Sequence, residues 1–233
     1  MSTPPPQGNG PIIEIAADVF YVTGSVTMAP LVRIPRNMVI IRHEGALTVI
    51  NTVRLEDESE LNKLGKVEHV VRIGSHGMDD AHYLKQFGAK YWAPKDMVLS
   101  EGLTADERIT QDTELPFPDA SVFLFEKTKK PEAAILLKRD DGLLITCDCV
   151  QHWVNTDGCS FLGRGATHML GFIKPAQIGP PWRKAMTPAG GSLEPDFERL
   201  AALPFDQLIA GHGVLLESGA RDRLKETMVR VFG

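Results

Sequence analysis

Short runs of β-branched and other apolar residues, broken by polar turns, occupy the first part of the chain. Ile12-Ile13-Glu14-Ile15, Val19-Phe20-Tyr21-Val22-Thr23, Asn37-Met38-Val39-Ile40-Ile41-Arg42 and Ala46-Leu47-Thr48-Val49-Ile50-Asn51-Thr52 read as strands. The turn His43-Glu44-Gly45 joins the last two as a hairpin. The period then changes. From Glu56 to Leu64 acids fill the first turn, Leu61 and Leu64 share a face and Gly65 ends the run, which predicts a helix. A buried strand around Val67, Val70, Val71 and Ile73, a helix at 81–87 and a short strand at 90–94 follow. The second half restarts with strands at 121–125, 133–138 and 143–148, the last two joined by Arg139-Asp140-Asp141-Gly142. A helix from Asp196 to Leu203, a strand Gln207-Leu208-Ile209-Ala210 and an amphipathic helix from about Ser218 to Val231 close the chain. A meander, an α-β-α-β stretch and a second strand series predict an α/β protein with helices packed outside its sheets.

Residues 153–195 have a different texture, with Trp153, Phe161, Phe172 and Trp182 scattered among Gly and Pro. They read as a long loop, either a lid or a dimer arm. Residues 1–11, with Pro4-Pro5-Pro6, read as a flexible or extended tail, which leaves 12–233 as one domain.

Composition narrows the class. With 43% hydrophobic and 24% charged residues over 233 positions, the chain can bury a full core. A net charge of -5, and no basic run longer than Lys127-Thr128-Lys129-Lys130, argue against nucleic acid as the principal partner. The N-terminus has neither the basic start nor the apolar core of a signal peptide, and no apolar stretch is long enough to span a bilayer. Three cysteines, Cys147, Cys149 and Cys159, do not make a disulfide framework. The expectation is a cytoplasmic protein with a small-molecule substrate, no membrane partner and the option of a homodimer.

Chemistry concentrates at strand ends. His76, Asp79, Asp80 and His82 fall within seven residues where the Val70-Val71 strand gives way to a helix, so imidazoles and carboxylates can converge on a divalent ion. The plainer reading is that Asp79 or Asp80 caps the helix. Asp148 ends an apolar strand, where a carboxylate needs a reason to be. His212 stands between Gly211 and Gly213, uncrowded, as suits a ligand or proton carrier, or else a turn histidine with a backbone partner. His82 and His152 are within sequence reach of the same edge, as ligands or as structural histidines.

Taken together these residues resemble the metallo-β-lactamase superfamily. The likeness runs from Val19-Phe20-Tyr21-Val22-Thr23-Gly24-Ser25, through His76, to Asp148 and Ala210-Gly211-His212-Gly213. The family's His-x-His-x-Asp-His motif is met by His76-Gly77-Met78-Asp79-Asp80-Ala81, with Met78 and Ala81 in place of two histidines. Asn51-Thr52-Val53 replaces an Asp-Thr-Gly turn, and no histidine occurs at 126–132, where the family's middle one falls. The resemblance implies an αββα four-layer sandwich with its site at one edge between the sheets. It also implies one divalent ion, zinc before iron or manganese, held by His76, Asp80, Asp148 and His212, with Asp80 orienting or deprotonating a water. The activity implied is hydrolysis of a small organic ester, lactone or thioester. The alternative is a metal-free, non-catalytic protein of the same fold that binds a ligand or associates with itself.

Overall fold

A computed structural model describes residues 9–100 and 102–233; most of the expected tail lies outside these residues. Among the described residues the chain forms two main sheets. In the first, β1 (Ile13–Ala16), β2 (Val19–Ala29), β3 (Val32–His43), β4 (Ala46–Ile50), β5 (Lys66–Val71), β6 (Lys90–Pro94) and β7 (Glu107–Ile109) lie in chain order. Its first half is an antiparallel meander, while β4 to β7 run parallel. Helices α1 (Ser59–Leu64) and α2 (Asp80–Phe87) make the crossovers from β4 to β5 and from β5 to β6 that parallel pairing demands.

The second sheet holds β8 (Ala120–Leu124), β9 (Ala133–Leu137) and β10 (Leu143–Thr146) as a meander. At its edge β13 (Gln207–Ala210) pairs parallel with β10. A two-residue ladder joins β11 (Val150–Gln151) to β12 (Gln177–Ile178). Helices α4 (Pro180–Met186), α5 (Glu194–Ala201) and α6 (Ala220–Phe232) lie on the outer face of this sheet, and α3 (Phe161–Met169) packs near β3.

Alternation along the strands explains the layering. On β3, Val39 and Ile41 face the second sheet, whereas Met38 and Ile40 face the α1 and α2 side. On β9, Ala133, Ile135 and Leu137 meet the first sheet while Ala134 and Leu136 meet α4 to α6. Each sheet is therefore apolar on both faces, and only a four-layer αββα stack buries all of it.

Three features differ from the sequence reading. β2 and β3 extend well past Thr23 and before Asn37, because the hairpin arms carry Gly24, Ser25, Arg33 and Pro35, which blur the strand pattern. The three-residue β7 leaves no periodic signal. The 153–195 segment is not one loop: it contains α3, β12 and α4, and Ile178, Trp182, Met186 and Leu193 lie in the outer core. Of its aromatics Trp182 packs in the outer core, Phe172 lies against Trp153, and Phe161 is exposed. Only its first part, Trp153 to Gly158, reaches the cavity described next.

Candidate metal centre

Three loops leave the two sheets at the same edge, and each delivers one side chain. After β5 the chain turns to His76, after β10 it reaches Asp148, and after β13 it turns to His212. Ligand atoms of these three residues all lie within 4.8 Å of one another. Asp148 Oδ1 is 3.2 Å from His76 Nε2 and 3.4 Å from His212 Nε2, and the two imidazoles meet edge to face at 4.6 Å.

The His212 loop is clamped in place. Asn37 in β3 donates from Nδ2 to the carbonyls of Ala210 and Gly213 at 3.0 and 2.9 Å, and its own N–H bonds Gly211 O at 2.9 Å. Thr23 Oγ1 in turn donates to Asn37 Oδ1 at 2.8 Å. Both glycines are needed. A Cβ at Gly211 would sit 2.7 Å from His76 Nδ1, and Gly213 has φ +84° with His152 O only 2.0 Å from where a Cβ would be.

Hydrogen bonds fix which atoms face the centre. His212 Nδ1 lies 2.6 Å from Pro35 O; a carbonyl only accepts, so Nδ1 carries the proton and Nε2 presents a lone pair to Asp148. Ser75 Oγ donates to Asp148 Oδ2 at 2.6 Å, leaving Oδ1 turned toward the histidines. Gln151 Nε2 approaches the same carboxylate at 3.3 Å and is itself held by Trp153 Nε1 through Oε1. His76 Nδ1 has no hydrogen-bond partner among the described residues.

Electrostatics sharpen this picture. Burial, and secondarily the neighbouring His76, push His212 down to about 4, so it is neutral at pH 7. Burial by itself would raise Asp148, but His76, through charge and hydrogen bonding, together with His212 and Ser75, holds it well below the ordinary carboxylate range. His212 thus turns a bare Nε2, and Asp148 an oxygen, toward the same point as the His76 imidazole. Protonating His212 is opposed by its burial, so a divalent ion on two imidazoles and a carboxylate suits the donor set.

The other residues singled out from the sequence lie outside this group. Asp80, expected as ligand and water-orienting acid, is corrected to a buried acid at the first turn of α2. Thr52 Oγ1 and Tyr91 OH each donate to it at 2.5 Å, one to each oxygen, and it is not among the ligand atoms that His76, Asp148 and His212 bring together. Burial pushes it above the ordinary aspartate range, against those two hydrogen bonds and the charges of Arg72 and Arg36. Asp79 pairs with the buried Arg36 and accepts from Arg54 N at 3.1 Å, so neither acid caps α2 through its side chain. His82 Nε2 lies 2.5 Å from Glu58 Oε1. His152 touches the centre only through its backbone, which bridges to Gly213, and burial lowers its side chain. Burial also pushes the Cys147 and Cys149 thiols well up, which keeps them protonated and inert. Ser75, Pro35, Asn37 and Gln151 escaped the sequence reading; only Ser75, next to His76, carried any signal.

A cavity of about 510 Å³ opens beside His212. Trp153, Val154, Val214 and Pro35 give it apolar walls, with Thr23, Asn155, Arg33 and Asp157 adding polar groups. Trp153 stacks on His212 at 6.2 Å, which ties the cavity wall to the centre.

The sequence matches no family model and no curated protein sequence. Solved structures do match. The chain is similar to the metallo-β-lactamase FIM-1 from Pseudomonas aeruginosa in its mono-zinc form, with a TM-score of 0.62 and 15% identity over 97% of this chain and 98% of that one. A metallo-β-lactamase from Hirschia baltica gives a TM-score of 0.59 and 14% identity over 94% and 96% of the two chains. One from Pontibacter korlensis gives 0.63 and 13% over 94% and 98%. The chain has the metallo-β-lactamase fold.

Proposed function

We propose that the protein is a metal-dependent hydrolase that holds a single divalent ion, zinc before iron or manganese, on His76, Asp148 and His212. The observation that carries this reading is the convergence of His76, Asp148 and His212, whose ligand atoms lie within 4.8 Å of one another at the sheet edge. A bound ion would supply Lewis acidity, lowering the pKa of a water to about 7 and polarising a carbonyl.

The chain's own residues do the rest. Pro35 O fixes the His212 tautomer, Ser75 and Gln151 orient Asp148, and Asn37 holds the His212 loop against β3. Trp153, stacked on His212, and Val214 wall the adjoining cavity, which would take the organic part of a substrate. Its volume and mostly apolar wall suit a small ester, lactone or thioester. Because Asp80 is engaged by Thr52 and Tyr91, it takes no proton from the water in this scheme.

Purified protein assayed against a panel of aryl esters, lactones and thioesters, with and without added zinc, iron or manganese, tests the proposal. Metal-stimulated turnover that disappears in His212→Ala is expected. Metal binding without turnover of any of the three classes would instead favour a ligand-binding protein of this fold.

A further inference from the structure

An apolar face without a partner lies next to the cavity mouth. Helix α3 turns Gly163 and Thr167 inward and presents Phe161, Leu162 and Met169 outward, with Phe161 88% and Met169 83% exposed. Ser160, its N-cap, is bound to the tip of the β2–β3 hairpin: its Oγ donates to Leu31 O at 2.6 Å and its N–H to Arg33 O at 3.0 Å. This brings Leu31, itself 76% exposed, and Met28 alongside α3. Val154 and Val214, exposed on the cavity rim, continue the surface toward the metal centre. Exposed large apolar side chains collected on adjoining segments mark an interaction surface, where scattered ones would not.

Charge identifies the partner. The protein is acidic overall, yet neither 19–42 nor 158–193 contains a single Asp or Glu. These two stretches form the hairpin and the α3 region and carry exposed Arg33 and Arg164, with exposed Lys174 five residues past the end of α3 and Asp157 on the cavity wall. A second copy seated on the same face would bring two cation-bearing surfaces together, neither stretch supplying a carboxylate to pair with them. An anionic lipid surface satisfies both parts: acyl chains receive Phe161, Met169 and Leu31, and headgroups receive the arginines and lysine.

We propose that the β2–β3 tip and α3 dock the protein peripherally on an anionic phospholipid surface, with the cavity mouth opening toward the lipid. This departs from the expectation of no membrane partner, which rested on the lack of a spanning segment; no described helix is long and apolar enough to cross a bilayer, and peripheral docking requires none. It also requires no ion at the metal centre, so it stands apart from the hydrolase reading.

Co-sedimentation of the full chain with two kinds of vesicle tests it: phosphatidylcholine alone, and phosphatidylcholine mixed with phosphatidylglycerol. Binding is expected to the mixed vesicles only, and to fall as salt rises. Phe161→Ser/Met169→Ser should weaken it by roughly ten-fold or more, and each of Arg164→Gln and Lys174→Gln by roughly five-fold. All four side chains are solvent-exposed, so thermal unfolding of the variants should match the native chain. An Asp148→Ala/His212→Ala chain, checked for folding, should still bind. Failure of the native chain to bind mixed vesicles, equal binding to both kinds, or undiminished binding by Phe161→Ser/Met169→Ser would each overturn the proposal. So would a vesicle-free dimer that the same variant converts to monomer, since that assigns the face to a second copy.

Discussion

At the scale of single residues, the centre is defined by which lone pairs are already committed. Ser75 on Oδ2 and Gln151 on Oδ1 hold the Asp148 carboxylate with Oδ1 toward the histidines, and His212 presents Nε2 because Pro35 takes Nδ1. Asp80 instead faces Thr52 and Tyr91, away from that group. Asp80→Asn is therefore expected to leave metal stoichiometry unchanged while Asp148→Asn lowers metal affinity by roughly ten-fold or more, as isothermal titration would show. Behind the centre, burial and then the charge of Asp148 push Glu132 well above its ordinary value of 4.5, and its Oε1 has no hydrogen-bond partner among the described residues. For an acid with a raised folded pKa, the stabilisation is complete below the unfolded pKa and is lost as pH rises through the folded one. Denaturant titration in the presence of chelator should accordingly show Glu132→Gln gaining stability over the native chain as pH increases from 4 toward 9, with the smallest difference at the acid end. A gap that shrinks with rising pH would contradict this. The sequence displayed His76, Asp148 and His212 because each follows an apolar strand. It gave no sign that Asp80 was engaged, since Thr52 and Tyr91 are 28 and 11 positions away and meet it only through sheet pairing.

At the scale of elements, the loops matter more than the strands they follow. The Gly211-His212-Gly213 turn works because β3 supplies Asn37 and Pro35 beneath it. Replacing Gly213 with Ala forces a Cβ toward His152 O at a positive φ, so a loss of about 1–3 kcal/mol is expected from the backbone conformation, seen as a lowered thermal midpoint and weaker metal binding. Next to it in β3, Arg36 is fully buried and pairs with Asp79 at the start of α2, joining the meander to the helix that follows β5. Breaking this pair in Arg36→Met should cost about 3–5 kcal/mol, because Asp79 is left charged and buried. Arg36→Met/Asp79→Asn should recover much of that loss in chemical denaturation; a double variant no better than the single one would mean that the pair matters for packing and not for charge. Most strands and four of the helices were legible from periodicity. The distal arms of β2 and β3 were not, because Gly24 and Pro35 interrupt the alternation while cross-strand pairing holds them in register. Nor was α3, whose Gly163 and Gly165 disguise a helix that packs closely on β3 through Gly163.

For the molecule as a whole, two sheets that are apolar on both faces stack between helical layers and bring three unrelated loop ends to one edge. That convergence explains why chemistry spread over more than 130 positions, from His76 to His212, was visible in sequence only as isolated residues at strand ends. The same edge carries the cavity and, beyond it, the apolar and basic face of α3 and the hairpin tip. The three converging residues, the cavity and the proposed docking face therefore lie in succession along one side of the fold. The ion is central to the hydrolase reading. Elemental analysis of the native chain purified without added metal, then again after equilibration with zinc, iron and manganese, measures it directly, with the Asp148→Ala/His212→Ala chain as control. About one tightly held ion per native chain and none in the control is the expected result. A native chain that takes up no ion under any of these conditions, or a control that keeps its full complement, would contradict the assignment of His76, Asp148 and His212 as a metal centre.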